Sequence, residues 1–212
     1  MVLPQKNQGS SIGRKAVIAA TGLGLSQFVL GHMAGNQLIF LGPDAINSYA
    51  YKLKHDLVVL LWIARIGLVT IFVLHLGLAL SLWAENRRAR PVRDVHESTV
   101  QATFASRSMG YTGIVVLAFV IVHIAHFTLG YIQPEYFDQK RYLASAGKEV
   151  HDVYNMMVMG LSHWWMSAIY IVATFLLSIH LSHGLASMFQ TIGWNSPRFH
   201  DTFQNIGRGL AV

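Results

Sequence analysis

Gly31-His32-Met33-Ala34-Gly35-Asn36-Gln37 sets a histidine between two glycines inside an apolar run from Ala16 to about Phe40, in a helix expected over about 12–40. A helix needs roughly 20 such residues to cross the hydrocarbon of a bilayer, and this run is longer. An imidazole at that depth is costly unless something engages it. Three more apolar runs follow, at about 57–84, 108–132 and 160–190, and each carries a histidine: His75, His123 and His180. The expected fold is an all-α integral membrane protein, a single domain built as a four-helix transmembrane bundle.

Composition agrees. Of 212 residues 53% are hydrophobic and only 12% charged, with a mean hydropathy of +0.40, whereas soluble domains are about one-quarter charged. There is no cysteine, which excludes disulfides, thiolate metal sites, iron–sulfur ligation and covalent haem attachment within this chain. The net charge of +6 does not indicate nucleic acid, because the arginines gather in segments between apolar runs, as membrane topology requires.

Lys6, Arg14 and Lys15 precede the first run, which is too long for a signal-peptide core and has no evident small-residue cleavage site, so it is expected to remain as a helix. Arg87, Arg88, Arg90, Arg93 and Arg107 lie between the second and third runs. By the positive-inside rule these basic segments face the cytoplasm and the N-terminus is cytoplasmic. The connections at 42–56 and 132–160 mix acids with bases and face outward. After the fourth run a Gly-Trp-Asn-Ser-Pro-Arg turn leads into residues 199–212, ending Gly207-Arg208-Gly209-Leu210-Ala211-Val212. That ending is either an interfacial helix or the start of a fifth transmembrane helix cut short, and its basic residue followed by small apolar ones favours the second.

Depth sorts the histidines. At about 1.5 Å per residue, His32 and His123 fall roughly 5–6 Å to the outer side of their helix midpoints, while His75 and His180 fall roughly 7 Å to the inner side. Four helices bringing one histidine each, two by two at two levels, suit a bundle enclosing two haems b, because each haem iron takes an axial imidazole from either face. Gly31, Gly35, Gly77, Gly110, Gly113 and Gly184 would let a flat macrocycle approach the helices, although glycine is common at membrane helix contacts anyway. His126 and His183 lie three residues beyond His123 and His180 on the same faces, and spacing alone does not separate them. Arg65, about 15 Å outward of His75, needs a haem propionate or a route to the interface. His55, His96, His151 and His200 fall in connections and are expected to be solvated, while His163 stands at the start of the fourth run.

Gly13-Arg14-Lys15, Thr21-Gly22-Leu23, His32-Met33-Ala34-Gly35-Asn36, Ala64-Arg65-Ile66-Gly67, Thr112-Gly113 and His180-Leu181-Ser182-His183-Gly184-Leu185 together resemble the single-chain, di-haem cytochrome b membrane anchors of bacterial succinate dehydrogenases and fumarate reductases, the respiratory complex II family. The likeness runs from residue 11 to about 198. It implies that His32, His75, His123 and His180 are the haem-iron ligands, His75 with His180 nearer the catalytic subunits and His32 with His123 on the distal haem. It further implies five helices, a flavoprotein partner with FAD, an iron–sulfur partner, a quinone substrate such as menaquinone, and residence in the bacterial inner membrane. Such an anchor passes electrons without acting on the dicarboxylate itself.

Quinone reduction consumes protons, which makes Asp44, His55, Asp56 and His163 candidate donors near the outer face. Two rivals stand beside this expectation. One is the haem-b subunit of a formate dehydrogenase or hydrogenase; the other is a haem-free transporter using intramembrane histidines. A bc-type cytochrome b is excluded, because that family places two histidines on each of two helices.

Overall fold

The computed structural model describes residues 11–89, 104–191 and 193. Lys6, Arg90, Arg93, His96, His200 and the expected fifth helix from about residue 199 lie outside the described residues.

Among the described residues four helices are long and apolar enough to cross a membrane, and the chain is a membrane protein on that ground. The first, α1, spans Ser11–Asn36 and tightens into a 3₁₀ turn at Gln37–Leu41. A short helix, α2 (Pro43–His55), leads to α3 (Val58–Arg88). Next comes α4 (Phe104–His123), which widens into a π-helical turn at Ile124–Thr128. After it come α5 (Pro134–Phe137), a two-stranded hairpin of β1 (Lys140–Leu143) and β2 (Lys148–His151), α6 (Val153–Ser162) and α7 (Trp164–Thr191).

The long helices carry apolar residues outward. No residue of α3 is buried, and Val59, Ile63, Ile66, Val69 and Val73 are all strongly exposed. From Ile66 to Ala84 that helix has no Asp, Glu, Lys or Arg. In a bilayer such a surface meets acyl chains, and the helix satisfies its own backbone bonds. What is buried on α1, α4 and α7 is mostly small or flexible: Ala19, Thr21, Ser26, Thr112, Ala173 and Met188. Small side chains at contacts are the usual packing device between membrane helices.

The described residues fall into two compact units, and each long helix contributes a segment to both. One unit lies within Met1–Ser26, Leu68–Gly110 and Ser178–Val212; the other is Gln27–Gly67 with Tyr111–Leu177. In the first, Arg14 on the opening turn of α1 grips Glu85 near the end of α3 through two bonds of 2.6 and 2.9 Å. Such a fork-to-carboxylate pair fixes geometry as well as charge.

In the second unit, the two connections expected to be loops are folded. Pro43 starts α2, Asp44 sits in its first turn and Lys52, Lys54 and His55 in its last, an order that complements the helix dipole. Gly42, at φ +98, makes the turn into it. The hairpin pairs Lys140 with His151 and Leu143 with Lys148, its turn closed by Gly147 at φ +64. Its strands alternate, so Leu143 and Val150 are buried and their neighbours are mostly exposed. Asn47, 1% exposed, cements this region: its Nδ2 donates to Asp152 Oδ1 at 2.9 Å and its Oδ1 accepts from the Tyr154 N–H at 3.1 Å. Asp152 also caps α6 by accepting from the Asn155 N–H. The fold is thus predominantly helical, as expected, with one short hairpin in a connection. The expected fourth helix is also divided: α6 ends at Ser162, His163 is extended at ψ 117, and α7 starts at Trp164.

Candidate functional site

The first unit holds His75, His180 and His183; the second holds His32, His123 and His126. The levels expected from depth thus coincide with the units.

His75 is half-buried on α3. Its Nδ1 lies 3.2 Å from the Ile18 carbonyl oxygen and 3.2 Å from Thr21 Oγ1. The Thr21 hydroxyl already donates its one proton within α1, 2.7 Å to the Val17 carbonyl. Both partners can therefore only accept from the ring, and the proton sits on Nδ1. Nε2 is left as a bare lone pair. Gly22 makes this approach feasible, since a Cβ there would stand 3.2 Å from His75 Cε1. His180 lies within electrostatic reach of both His75 and His183.

In the second unit the rings of His32 and His123 stand 5.7 Å apart, centre to centre, with planes at 86°. Two imidazoles on one metal, joined by collinear bonds of about 2 Å each, have ring centres roughly 6 Å apart. The observed separation is of that order. Aromatic rings flank the pair: Phe28 stacks on the exposed His32 at 5.4 Å, and Phe119 and Phe127 each lie 5.8 Å from His123. The His32 Nε2 accepts from the Asn36 amide at 3.3 Å, so Asn36 competes with any metal for that lone pair.

His126, 3% exposed, is the most buried of the described histidines, and both its nitrogens are engaged. Nε2 lies 2.9 Å from Gln133 Oε1 and Nδ1 lies 3.1 Å from Tyr170 Oη. Tyr170 Oη is also 3.4 Å from His123 Nδ1. Of the two neighbours that spacing left open, His126 is thus tied at both ring atoms, while His123 is held at Nδ1 only. Among the described residues no three His, Asp or Glu side chains converge as a metal cage would need.

The glycines divide. At Gly31, Gly77 and Gly184 a Cβ would point into open space, as it would at Gly67. Gly35 and Gly110 instead accommodate protein: a Cβ would meet Tyr49 Oη at 2.9 Å and Trp83 Nε1 at 2.5 Å. Arg65 is exposed, with its guanidinium 5.1 Å over the Trp62 ring, and no described carboxylate pairs with it. Lys54 lies near enough to feel its charge, and burial, then Arg65, hold the Lys54 ammonium below the ordinary lysine range.

The candidate proton donors scatter. Asp44 faces Arg141 at 3.7 Å, His55 packs on Tyr51 at 4.4 Å, and Asp56 ends α2. His163 Nε2 lies 3.3 Å from the Tyr136 hydroxyl at the break before α7. His151 is only part-exposed rather than solvated; burial, and then Lys54, hold its imidazole below the usual histidine value. His55 and His151 help line a cavity of about 200 Å³ with Asn47, Tyr51, Lys54 and Lys148.

Sequence reasoning missed Thr21 as a partner of His75, and it missed Tyr170 and Gln133 altogether. The available signal for Tyr170 was a hydroxyl in the middle of an apolar run, which demands a partner as surely as a histidine does. Comparison with protein-family models, with curated proteins and with solved structures finds no match to this chain.

Proposed function

We propose that this chain is the membrane-anchor and electron-transfer subunit of a succinate:quinone oxidoreductase or quinol:fumarate reductase, with two bis-histidine haems b. What carries the haem part is the His32–His123 pair, with 5.7 Å between ring centres and phenylalanine rings beside both. His75 with His180 would hold the second haem. The complex II part rests on the resemblance of the six sequence segments.

Haem supplies reversible one-electron exchange, which no side chain of this chain supplies. The chain contributes ligation, orientation and exclusion of water. The Ile18 carbonyl holds the His75 ring with Nε2 bare. Phe28, Phe119 and Phe127 set apolar rings against His32 and His123. Arg65, free of a described carboxylate, suits a propionate. A flavoprotein with FAD and an iron–sulfur subunit would dock at the Arg-rich, cytoplasmic side of the bacterial inner membrane, with menaquinone or a similar quinone as the membrane substrate.

A reduced-minus-oxidised absorption spectrum of the purified full-length chain tests the haems. Two b-type haems per chain are expected. Absence of such bands, or bands that survive replacement of all four histidines, overturns the haem assignment. Co-purification tests the complex: succinate-oxidising or fumarate-reducing subunits are expected, and a formate dehydrogenase or hydrogenase in their place overturns it.

A further inference from the structure

Four side chains in the second unit form one connected line: His123, Tyr170, His126 and Gln133. With the Gln133 amide oxygen facing the ring, His126 Nε2 must carry a proton and donate it. A neutral His126 then presents Nδ1 as an acceptor, and the Tyr170 hydroxyl donates to it. The phenolic oxygen is left to accept from His123 Nδ1–H. Every donor in the line points the same way, toward Gln133, and each bond polarises the next.

The backbone is shaped for this line. Directly after His123 the helix widens, the Leu129 N–H bonding back to the Ile124 carbonyl at 2.9 Å, so that both histidines reach one tyrosine. Such π turns recur at functional sites. Gln133 adopts a left-handed conformation at φ 56, the only described non-glycine residue to do so. Opposite it is Gly160, where a Cβ would stand 2.8 Å from His126 Nε2 and 3.4 Å from Gln133 Oε1.

We infer that Tyr170 is a positioning residue for His123, with His126 and Gln133 setting its polarity. It keeps the proton on His123 Nδ1, leaves Nε2 as the ligating atom and makes that nitrogen more electron-rich. The inference deepens the haem assignment and rests on it for its redox consequence. An electron-rich axial imidazole favours ferric iron, so the line lowers the potential of the haem held by His32 and His123.

Redox titration of Tyr170→Phe in the full-length chain is the test, joined by ¹⁵N-histidine NMR of the same chain without haem. The expected result is an upward shift of one haem, the one lost in His32→Ala, with the other unmoved. In the NMR experiment His123 loses its preference for the Nδ1–H tautomer. Gln133→Asn tolerates the left-handed backbone but withdraws the acceptor from His126; it gives a smaller shift of the same sign and carries the test if Tyr170→Phe does not assemble. Unmoved potentials and an unchanged tautomer in these variants overturn the inference. A wild-type chain that binds no haem but shows the Tyr170-dependent tautomer overturns the haem assignment instead, and leaves the positioning role standing.

Discussion

The two compact units hold their histidines by different means. In one, His75 donates to the Ile18 main-chain carbonyl, an acceptor that no substitution removes. In the other, His123 reaches a phenol, and the phenol depends on His126 and Gln133. A backbone acceptor gives a site that is hard to perturb; a side-chain line gives one that can be adjusted a residue at a time. The units differ in their polar cement too. The first joins helix ends with one Arg14–Glu85 fork, whereas the second is built around a buried asparagine beneath a small folded cap.

Removing the histidines breaks the comparison most severely. His75→Ala and His180→Ala should each abolish the same haem, and His32→Ala and His123→Ala the other, read as loss of half the b-type absorbance. Loss of both haems from any single substitution would show that the units are not independent sites. Next in size is Gly22→Val. The added side chain would push His75 off the Ile18 carbonyl, and by the usual cost of disturbing a ligand's outer partner, affinity for that haem should fall about 10–100-fold. Thr21→Val is the sharpening control: the carbonyl remains, so the haem should remain, in contrast to the shifted potential expected of Tyr170→Phe.

Asn47→Ala acts on the second unit alone. It strands the Tyr154 N–H and one Asp152 contact, at about 1–3 kcal/mol for each buried group left unpaired. The expected readout is a lower unfolding midpoint and faster proteolysis of residues 140–162, with the haem lost in His75→Ala unaffected. The smallest effect is that of pH on the same cap. Burial and Lys54 depress the folded His151 value, so the folded cap resists protonation there. Its stabilising contribution is present above about pH 6.5, the unfolded value, and is lost progressively as pH falls from there through the folded value. His151→Phe should flatten that part of the pH profile.

The four spans were legible because membrane crossing imposes a length and an apolar content that no other fold demands of residues 58–88 or 164–191. The grouping of His75 with His180 and of His32 with His123 is an expectation from constant helical rise, and the structure brings the rings of His32 and His123 to 5.7 Å of each other. The cap was not. Residues 140–151 are polar and carry only Leu143 and Val150 as an inward pair, a pattern too short to distinguish a hairpin from a charged loop. His163 looked like part of a continuous fourth helix because its apolar neighbours continue on both sides of it. Only its extended backbone separates α6 from α7.

The sequence by itself determined that the described residues carry four segments long and apolar enough to span a membrane, with histidines expected at two depths, since both follow from hydrocarbon thickness and a rise of about 1.5 Å per residue. It left His123 and His126 equivalent. Tertiary structure alone decided between their surroundings, because a hydrogen-bond partner such as Tyr170, 47 residues away from His123 along the chain, is set by the packing of one helix against another. The same holds for the tautomer of His75. Its proton position depends on a carbonyl 57 residues earlier, and no periodicity within α3 encodes that carbonyl.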